Sequence, residues 1–462
     1  MSLLLVTMKS QRLSKCILCQ RIFLLNTMNK RTAFFYNALA LLSVGIGLLN
    51  SILTIRLLGI TADADIWLLS IAMVTTLCVL SQLGVDQFLY FYEEQRAQGQ
   101  TQAARFTRAA VTWAVLTGAA FALLAIAALP LLKLIFALGL PVLSQNRVAD
   151  LIITMAPQMA AAPLLHVTRQ HQNAVGRYTL AYLLLLWSPL VLLIVMVCAS
   201  MLYTTPEKLA WMVGAGGLIQ IAACLLIVWP TIRGQKKLAW SAPYFRRFIS
   251  TSIAMRSGHG LHNFLSSAII NNTLSTFAIG NVALFQYANR FAAGASAIAV
   301  GPHSNIFHAQ IAKAWAERAG LLAIYSARKF LVHIAPIFVL TVIVVWLALP
   351  PALRLISTAA MPLDALAITF LLLSVWHGVI HLESIFVAFI VAAHQAKVFI
   401  LVNGLFAVVF FLLSRRLTLL PEFAVLPAAA IFAQLISLMI FSMVAIRLFK
   451  QHFRTGNVDA HA

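Results

Sequence analysis

About twelve stretches of roughly twenty mostly apolar residues follow one another along this chain, parted by short basic breaks. That repetition restricts the fold more than any single motif does. A backbone crossing hydrocarbon must satisfy its own N–H and C=O groups, so only helices or a closed barrel can cross. Barrel strands would show alternating apolar and polar residues over about ten positions, whereas these runs are continuous. Composition agrees, with 62% hydrophobic and 10% charged residues against about 25% charged in a soluble domain. The expected fold is an all-α polytopic membrane protein with about twelve transmembrane helices in two six-helix lobes.

The chain of 462 residues carries 33 Lys and Arg against 12 Asp and Glu, a net charge of +21. In a soluble protein such an excess points to nucleic acid. Here the basic residues lie between apolar runs, so they read as topology and as contact with anionic lipids, with no nucleic-acid partner. With an even number of spans and the N-terminus inside, most of them fall on the cytoplasmic side. The expectation is a multi-pass protein of the bacterial inner membrane with both termini cytoplasmic. It divides into a basic arm (1–31), an N-lobe (32–232), a linker (233–247), a C-lobe (248–449) and a tail (450–462). Trp240, Tyr244 and Phe245 beside basic residues suggest that the linker lies on the membrane surface. Met28-Asn29-Lys30-Arg31 precedes the first apolar run much as a natural start would, which makes 1–27 an extension or a loose arm.

Catalytic signatures are missing. No phosphate-loop G-x-x-x-x-G-K-[ST], no H-E-x-x-H and no G-x-S-x-G occurs. Cys16-x2-Cys19 has no second pair, so no zinc site is expected. The loops are short, and a non-enzymatic protein without a cofactor follows. Work done by such a chain would draw on H+, Na+, membrane potential or the substrate's own gradient.

Polar residues concentrate in three spans. In the seventh, Ser252, Arg256, His259, Asn263 and Ser267 recur at spacings of 4, 3, 4 and 4, which places them on one helical face. A hydrogen-bonding ribbon between helices could be built from Ser and Asn alone. Arginine at mid-bilayer costs about 2.5–3.5 kcal/mol on insertion scales, which favours a water-filled cavity. The eighth span holds Gln286, Asn289 and Arg290, followed by Gly294, Ala297 and Gly301. The tenth holds Ser374, His377, His381 and Ser384 at spacings of 3, 4 and 3, with Glu383 one position off the stripe. Glu383 could carry a coupling proton or cation, or neutralise Arg256 or Arg290. Asp65 opens the second span, where an acid suits the helix dipole. Two arginines and two histidines against Glu383 and Asp65 favour an anionic ligand, and phosphate or pyrophosphate matches arginine forks.

The segment RLLGITADADIW, with Arg56, Gly59 and Asp65, resembles the first-to-second helix turn of the MurJ/MviN-type lipid II flippases. LFQYANRFAAGASAIAVGPHSNIF is similar to that family's eighth helix, and Arg290 stands at its functional arginine. The resemblance implies a fold of the MOP superfamily, with two lobes around a central cationic cavity. It implies alternating-access transfer of a polyprenyl-pyrophosphate-linked oligosaccharide. The family's cavity arginines on helix one are replaced by residues such as Val44 and Asn50, and its last two helices have no counterpart. An exopolysaccharide or O-antigen repeat unit therefore fits at least as well as lipid II.

Under that reading the substrate-binding set is Arg256, Arg290, His259, Asn263, Asn289, His377, His381 and Asp65, with Glu383 as the ion-coupling candidate. Glycosyltransferases and a polymerase of the same pathway are the expected protein partners. Two alternatives stand beside it. A multidrug or cation antiporter would need buried carboxylates to outnumber buried arginines. A non-transporting scaffold of a polysaccharide assembly complex would leave the arginines without a task. The topology is directly checkable: a phosphatase reporter fused after Ala462 is expected to be inactive and a fluorescent fusion bright, and an active phosphatase would reverse the assigned orientation.

Overall fold

The computed structural model describes the backbone of residues 30–201, 205–234, 240, 242–356, 362–393, 395–417 and 419–454. The arm 1–27, linker residues 235–239 and 241, and the tail from 455 lie outside the described residues. So do the side chains of Arg256 and His259, although both belong to a described helix.

The first half of the chain comprises α1 (Lys30–Leu58), α2 (Ala62–Ser81), a 3-10 turn (Gln82–Gly84), α3 (Phe88–Gln98), α4 (Gln100–Ala127), α5 (Leu129–Phe136), α6 (Val142–Thr154), α7 (Ala156–Ala174), α8 (Tyr178–Met201) and α9 (Pro206–Ile232). The second half comprises α10 (Pro243–Ser275), α11 (Asn281–Ala316), α12 (Gly320–Ile356), α13 (Leu363–Ala392), α14 (Ala396–Arg416) and α15 (Glu422–Arg454). Among the described residues seven segments are long and apolar enough to cross a membrane, and up to nine if each bent pair is one span. One such pair is α6 with α7, bent by 42° where Met155 meets Ala156 and Pro157. Three further long helices complete the alternation. They are α1, whose apolar part is Leu42–Leu58, and α10 and α11, which hold the polar residues.

This alternation brings Lys30 and Arg454 to one face, called here the terminal face. The turns 59–61 and 276–280 lie at the opposite face. Exposed side chains such as Leu123, Leu226, Leu340 and Leu347 coat the sides of the bundle, as lipid contact requires. Several buried hydroxyls donate to a carbonyl one turn back in their own helix, as in Ser70 to Ile66 O (2.8 Å) and Ser374 to Phe370 O (2.8 Å).

The linker is shorter than the sequence suggests. Pro243 starts α10, because proline has no N–H to lose in a first helical turn. Phe245 and Phe248 are buried among Phe88, Phe91 and Phe106 of the first half rather than lying on the membrane surface. Arg246 and Arg247 beside them stay exposed. The hydropathy pattern could not reveal this, since an aromatic residue reads alike at a membrane surface and in a core.

At the opposite face the first half is tied by one guanidinium. Arg147 donates to Asp63 Oδ1 (2.7 Å) and to Glu207 Oε1 (2.8 Å), joining the starts of α2 and α9 to α6. Deeper in, α7 and α9 approach until a Cβ on Gly217 would stand 2.6 Å from the Gln158 backbone nitrogen. Gly217→Leu is expected to force these helices apart and lower the melting temperature of purified protein by several degrees, at about 1–3 kcal/mol for overpacking. Unchanged thermal unfolding in detergent would show that the contact gives way freely.

Candidate functional site at the seam between the halves

At the opposite face one carboxyl joins the halves. Asp65, buried at the start of α2, accepts from the backbone N–H of Gly280 (2.6 Å) and of Ala283 (2.7 Å). It thereby caps the N-terminus of α11, where unpaired N–H groups and the helix dipole attract a carboxylate. Gly280 holds φ +95, a left-handed conformation that disfavours a side chain. Tyr287 donates to Gly59 O (3.1 Å) one turn deeper. The hairpin after α5 adds Gly139 N–H to Ser275 Oγ (3.1 Å), while Asn272 Nδ2 donates to Ile135 O (2.9 Å). Asp65 therefore serves a different helix from its own, with both oxygens engaged. Each of its oxygens already takes one N–H of α11, so Asp65 has a structural task besides its expected place in the binding set.

From there α11 descends along α1. Ala283, Tyr287, Arg290 and Gly294 recur at spacings of 4, 3 and 4 and so share one face. That face is the seam, since Ala283 meets Asp65, Tyr287 meets Gly59, and Gly294 lies against Leu48. Arg290 sits in this row, half-buried, and among the described residues no hydrogen bond or ion pair reaches its guanidinium. Farther toward the terminal face, Gly45 and Gly47 of α1 are exposed, and no described atom stands within 4 Å of where a side chain would begin.

The polar stripe of α10 faces the other side of the seam. Its ends are occupied: Ser252 Oγ accepts from Gln87 N–H (3.2 Å), and Ser267 Oγ accepts from Thr76 Oγ1 (2.9 Å). Ser267 also accepts from Asn271 Nδ2 (3.1 Å), whose Oδ1 accepts from Gln286 Nε2 (3.2 Å). A hydrogen-bonded ribbon thus joins α2, α10 and α11. Between these contacts Asn263 shares the same face yet is exposed, so the seam opens at mid-depth. The stripe combines both readings, a ribbon at Ser252 and Ser267 and a gap at Asn263. Arg256 and His259 stand between Ser252 and Asn263 on the helix, with side chains outside the described residues.

The remaining candidates separate from this seam. His381 Nε2 and Ser296 Oγ lie 2.6 Å apart, between α13 and α11. Asn289 lies on this side of α11, about 200° round from Tyr287 at about 100° per residue. Its Oδ1, like His377 Nε2, is buried without a partner among the described residues. Glu383 points the opposite way and accepts from Gln434 Nε2 (2.7 Å), whose Oε1 takes the Trp376 indole N–H (3.2 Å). Glu383 does not neutralise Arg290. Its position off the histidine stripe sends it into the contact of α13 with α15, inside the second half.

Sequence reading missed Tyr287 and Thr76, because single hydroxyls in apolar runs usually bond within their own helix, and Gln87, which acts through its backbone N–H. Gln434, isolated in an apolar run, was a usable signal.

No protein-family model matches the sequence, and no curated protein matches it either. Solved structures do match in fold. The lipid II flippase MurJ in an inward closed conformation superposes with TM-score 0.69 at 13% identity, covering 92% of this chain and 91% of that one. An inward-facing multidrug resistance MATE family transporter of the MOP superfamily gives TM-score 0.68 at 12% identity, covering 88% and 96%. The outward-facing conformation of such a transporter gives 0.60 at 10% identity, covering 90% and 95%. The chain has the all-helical polytopic fold that these transporters share, and the state in hand is closed at the opposite face.

Replacing Asp65 tests that closure. In a background without the five native cysteines, Ile60→Cys is expected to react several-fold faster with a membrane-impermeant maleimide when Asp65→Ala is added. Hydrogen bonds to charged groups contribute about 1.5–3 kcal/mol each. An unchanged rate would remove Asp65 from the closure.

Proposed function

We propose that the protein is a flippase that carries a polyprenyl-pyrophosphate-linked oligosaccharide, an exopolysaccharide or O-antigen repeat unit or lipid II, across the bacterial inner membrane by alternating access. The observation that carries this reading is Arg290: a half-buried guanidinium on the seam, with no described acidic partner. A cation left in this position is favoured only where water or an anionic ligand reaches it. Its planar fork suits two phosphate oxygens at once. Asn263 at the opening in the seam is placed to bond sugar hydroxyls, and Arg256 and His259 belong to the same helix.

Two further features support alternation. The closure at the opposite face includes exchangeable hydrogen bonds of Asp65, Tyr287, Gly139 and Asn272 beside its apolar packing. On the terminal side α1 exposes Gly45, with no described atom within 4 Å of where a side chain would begin, and a headgroup would enter beside it. Rocking about the seam would exchange one for the other. Glu383, bonded to Gln434 inside the second half, remains the coupling candidate for H+ or Na+, with membrane potential as the alternative source of drive.

A cation antiporter on the same fold would require free carboxylates at the seam. Asp65 has both oxygens engaged and Glu383 faces away.

The expected result is that Arg290→Ala abolishes glycan export in a strain lacking the chromosomal copy, while membrane insertion and gel-filtration behaviour stay unchanged. Arg290→Lys should retain a fraction of activity, since it keeps the charge and loses the fork. Full export by Arg290→Ala would refute the assignment, and drug susceptibility that follows expression would favour the antiporter.

A further inference from the structure

The terminal end of the first half carries more positive charge than its acids balance. On α3, Glu93 pairs with Arg96 (3.6 Å) and Glu94 with Arg247 (3.8 Å). Two arginines of α4, Arg105 and Arg108, are half-buried. Among the described residues no hydrogen bond or ion pair reaches either guanidinium. They stand about 8 and 12 Å along the helix from Gln100, at about 1.5 Å per residue. That is deeper than the loop where a topology-setting charge ordinarily sits.

Their helix face changes character with depth. Arg105, Arg108, Thr112, Leu116, Ala119 and Leu123 recur at spacings of 3, 4, 4, 3 and 4, so they form one stripe. Leu116, Ala119 and Leu123 are exposed. The opposite side of α4 (Phe106, Ala110, Ala114) is buried in the first half. The stripe therefore runs from two guanidinium groups into a lipid-facing apolar strip.

Aromatic residues flank the charged end. Trp240 Nε1–H donates to Ala109 O (3.4 Å), which seats the indole beside the stripe, and 38% of Trp240 stays exposed. Tyr244 lies near Phe106 (ring centroids 6.3 Å apart) and within reach of the Arg105 charge. Tryptophan and tyrosine prefer the depth of lipid headgroups. A free anion would meet the charge here and leave the leucines of the same stripe uncovered. A zwitterionic lipid would cover the leucines and bring no net counter-charge. A lipid with a net negative headgroup does both.

We propose that this stripe is a binding site for an anionic diacyl phospholipid of the terminal-side leaflet. Arg105 and Arg108 hold its phosphate, Trp240 borders the glycerol region, and an acyl chain lies along Leu116 and Leu123. The site shares no residue with the seam and does not depend on what the seam carries.

The test uses full-length protein in phosphatidylcholine nanodiscs and two probes with a diazirine in one acyl chain, a phosphatidylglycerol and a phosphatidylcholine. Crosslinked residues are mapped by mass spectrometry. The phosphatidylglycerol probe is expected to label Leu116, Ala119 or Leu123 saturably, and several-fold more than the phosphatidylcholine probe. Arg105→Ala with Arg108→Ala should lower that labelling about tenfold and leave labelling at Leu340 and Leu347 of α12 unchanged. Arg105→Gln with Arg108→Gln, which keeps the length of the side chains more nearly, carries the same expectation should the alanine pair not fold. Arg328→Ala with Lys329→Ala removes equal charge from exposed positions at the terminal end of α12, and should leave the α4 stripe labelled. Equal stripe labelling by the two probes would overturn the proposal. So would stripe labelling that the α4 substitutions leave unchanged, or that the α12 substitutions lower equally. Displacement of the probe by inorganic phosphate would also overturn it, by making the site one for free anions.

Discussion

A carboxyl from the first half of the chain caps a helix of the second half, and the arrangement of the seam follows from that contact. Asp65 holds the N-terminus of α11 by two short hydrogen bonds. This fixes both the depth and the rotation of α11, because the bonded amides of Gly280 and Ala283 lie at its first turn. Every residue below inherits its facing from that anchor. Tyr287 falls against Gly59, Gly294 against Leu48, and Arg290 between them on the same row. A rotation of α11 by one residue, about 100°, would carry Arg290 off the seam.

The opposite face is closed by these hydrogen bonds together with apolar packing, since one buried core cluster runs through both halves and includes Ile55, Leu58, Val282 and Phe285. The polar contacts can be exchanged for water when states alternate, which limits the energy gap between them. The rest of the second half is packed otherwise. Glu383, Gln434 and Trp376 form a chain of hydrogen bonds between α13 and α15, and His381 joins α13 to α11 through Ser296. These polar groups hold the second half as a unit, so it can move as one body against the first.

Much of the seam was legible in the residues. The 4-3-4-4 recurrence on the seventh span marked a single face, and the structure turns one end of that face toward α2 at Thr76 and the other toward the start of α3 at Gln87. The arginine of the eighth span was singled out by its insertion cost, and it lies on the seam row. Two acids mark what the residues left open. The sequence shows that Asp65 and Glu383 are acids in apolar company, but it does not show which helix end or side chain meets them. Asp65 found the amides of a helix more than two hundred positions away, and Glu383 found an amide on α15. The linker failed differently, because Phe245 and Phe248 could rest equally well in headgroups or in a core, and only the neighbouring Phe88, Phe91 and Phe106 decide between them.

The sequence by itself determined that the chain is a bundle of membrane-crossing helices, and which residues share a face of each. Both follow from local physics: backbone groups cannot stay unpaired in hydrocarbon, and side chains repeat every 3.6 residues. Tertiary structure alone decided which faces meet. It placed Asp65 on the end of α11 and turned Glu383 toward Gln434, away from Arg290. Such pairings depend on the relative depth and rotation of helices far apart in the chain, which no periodicity encodes.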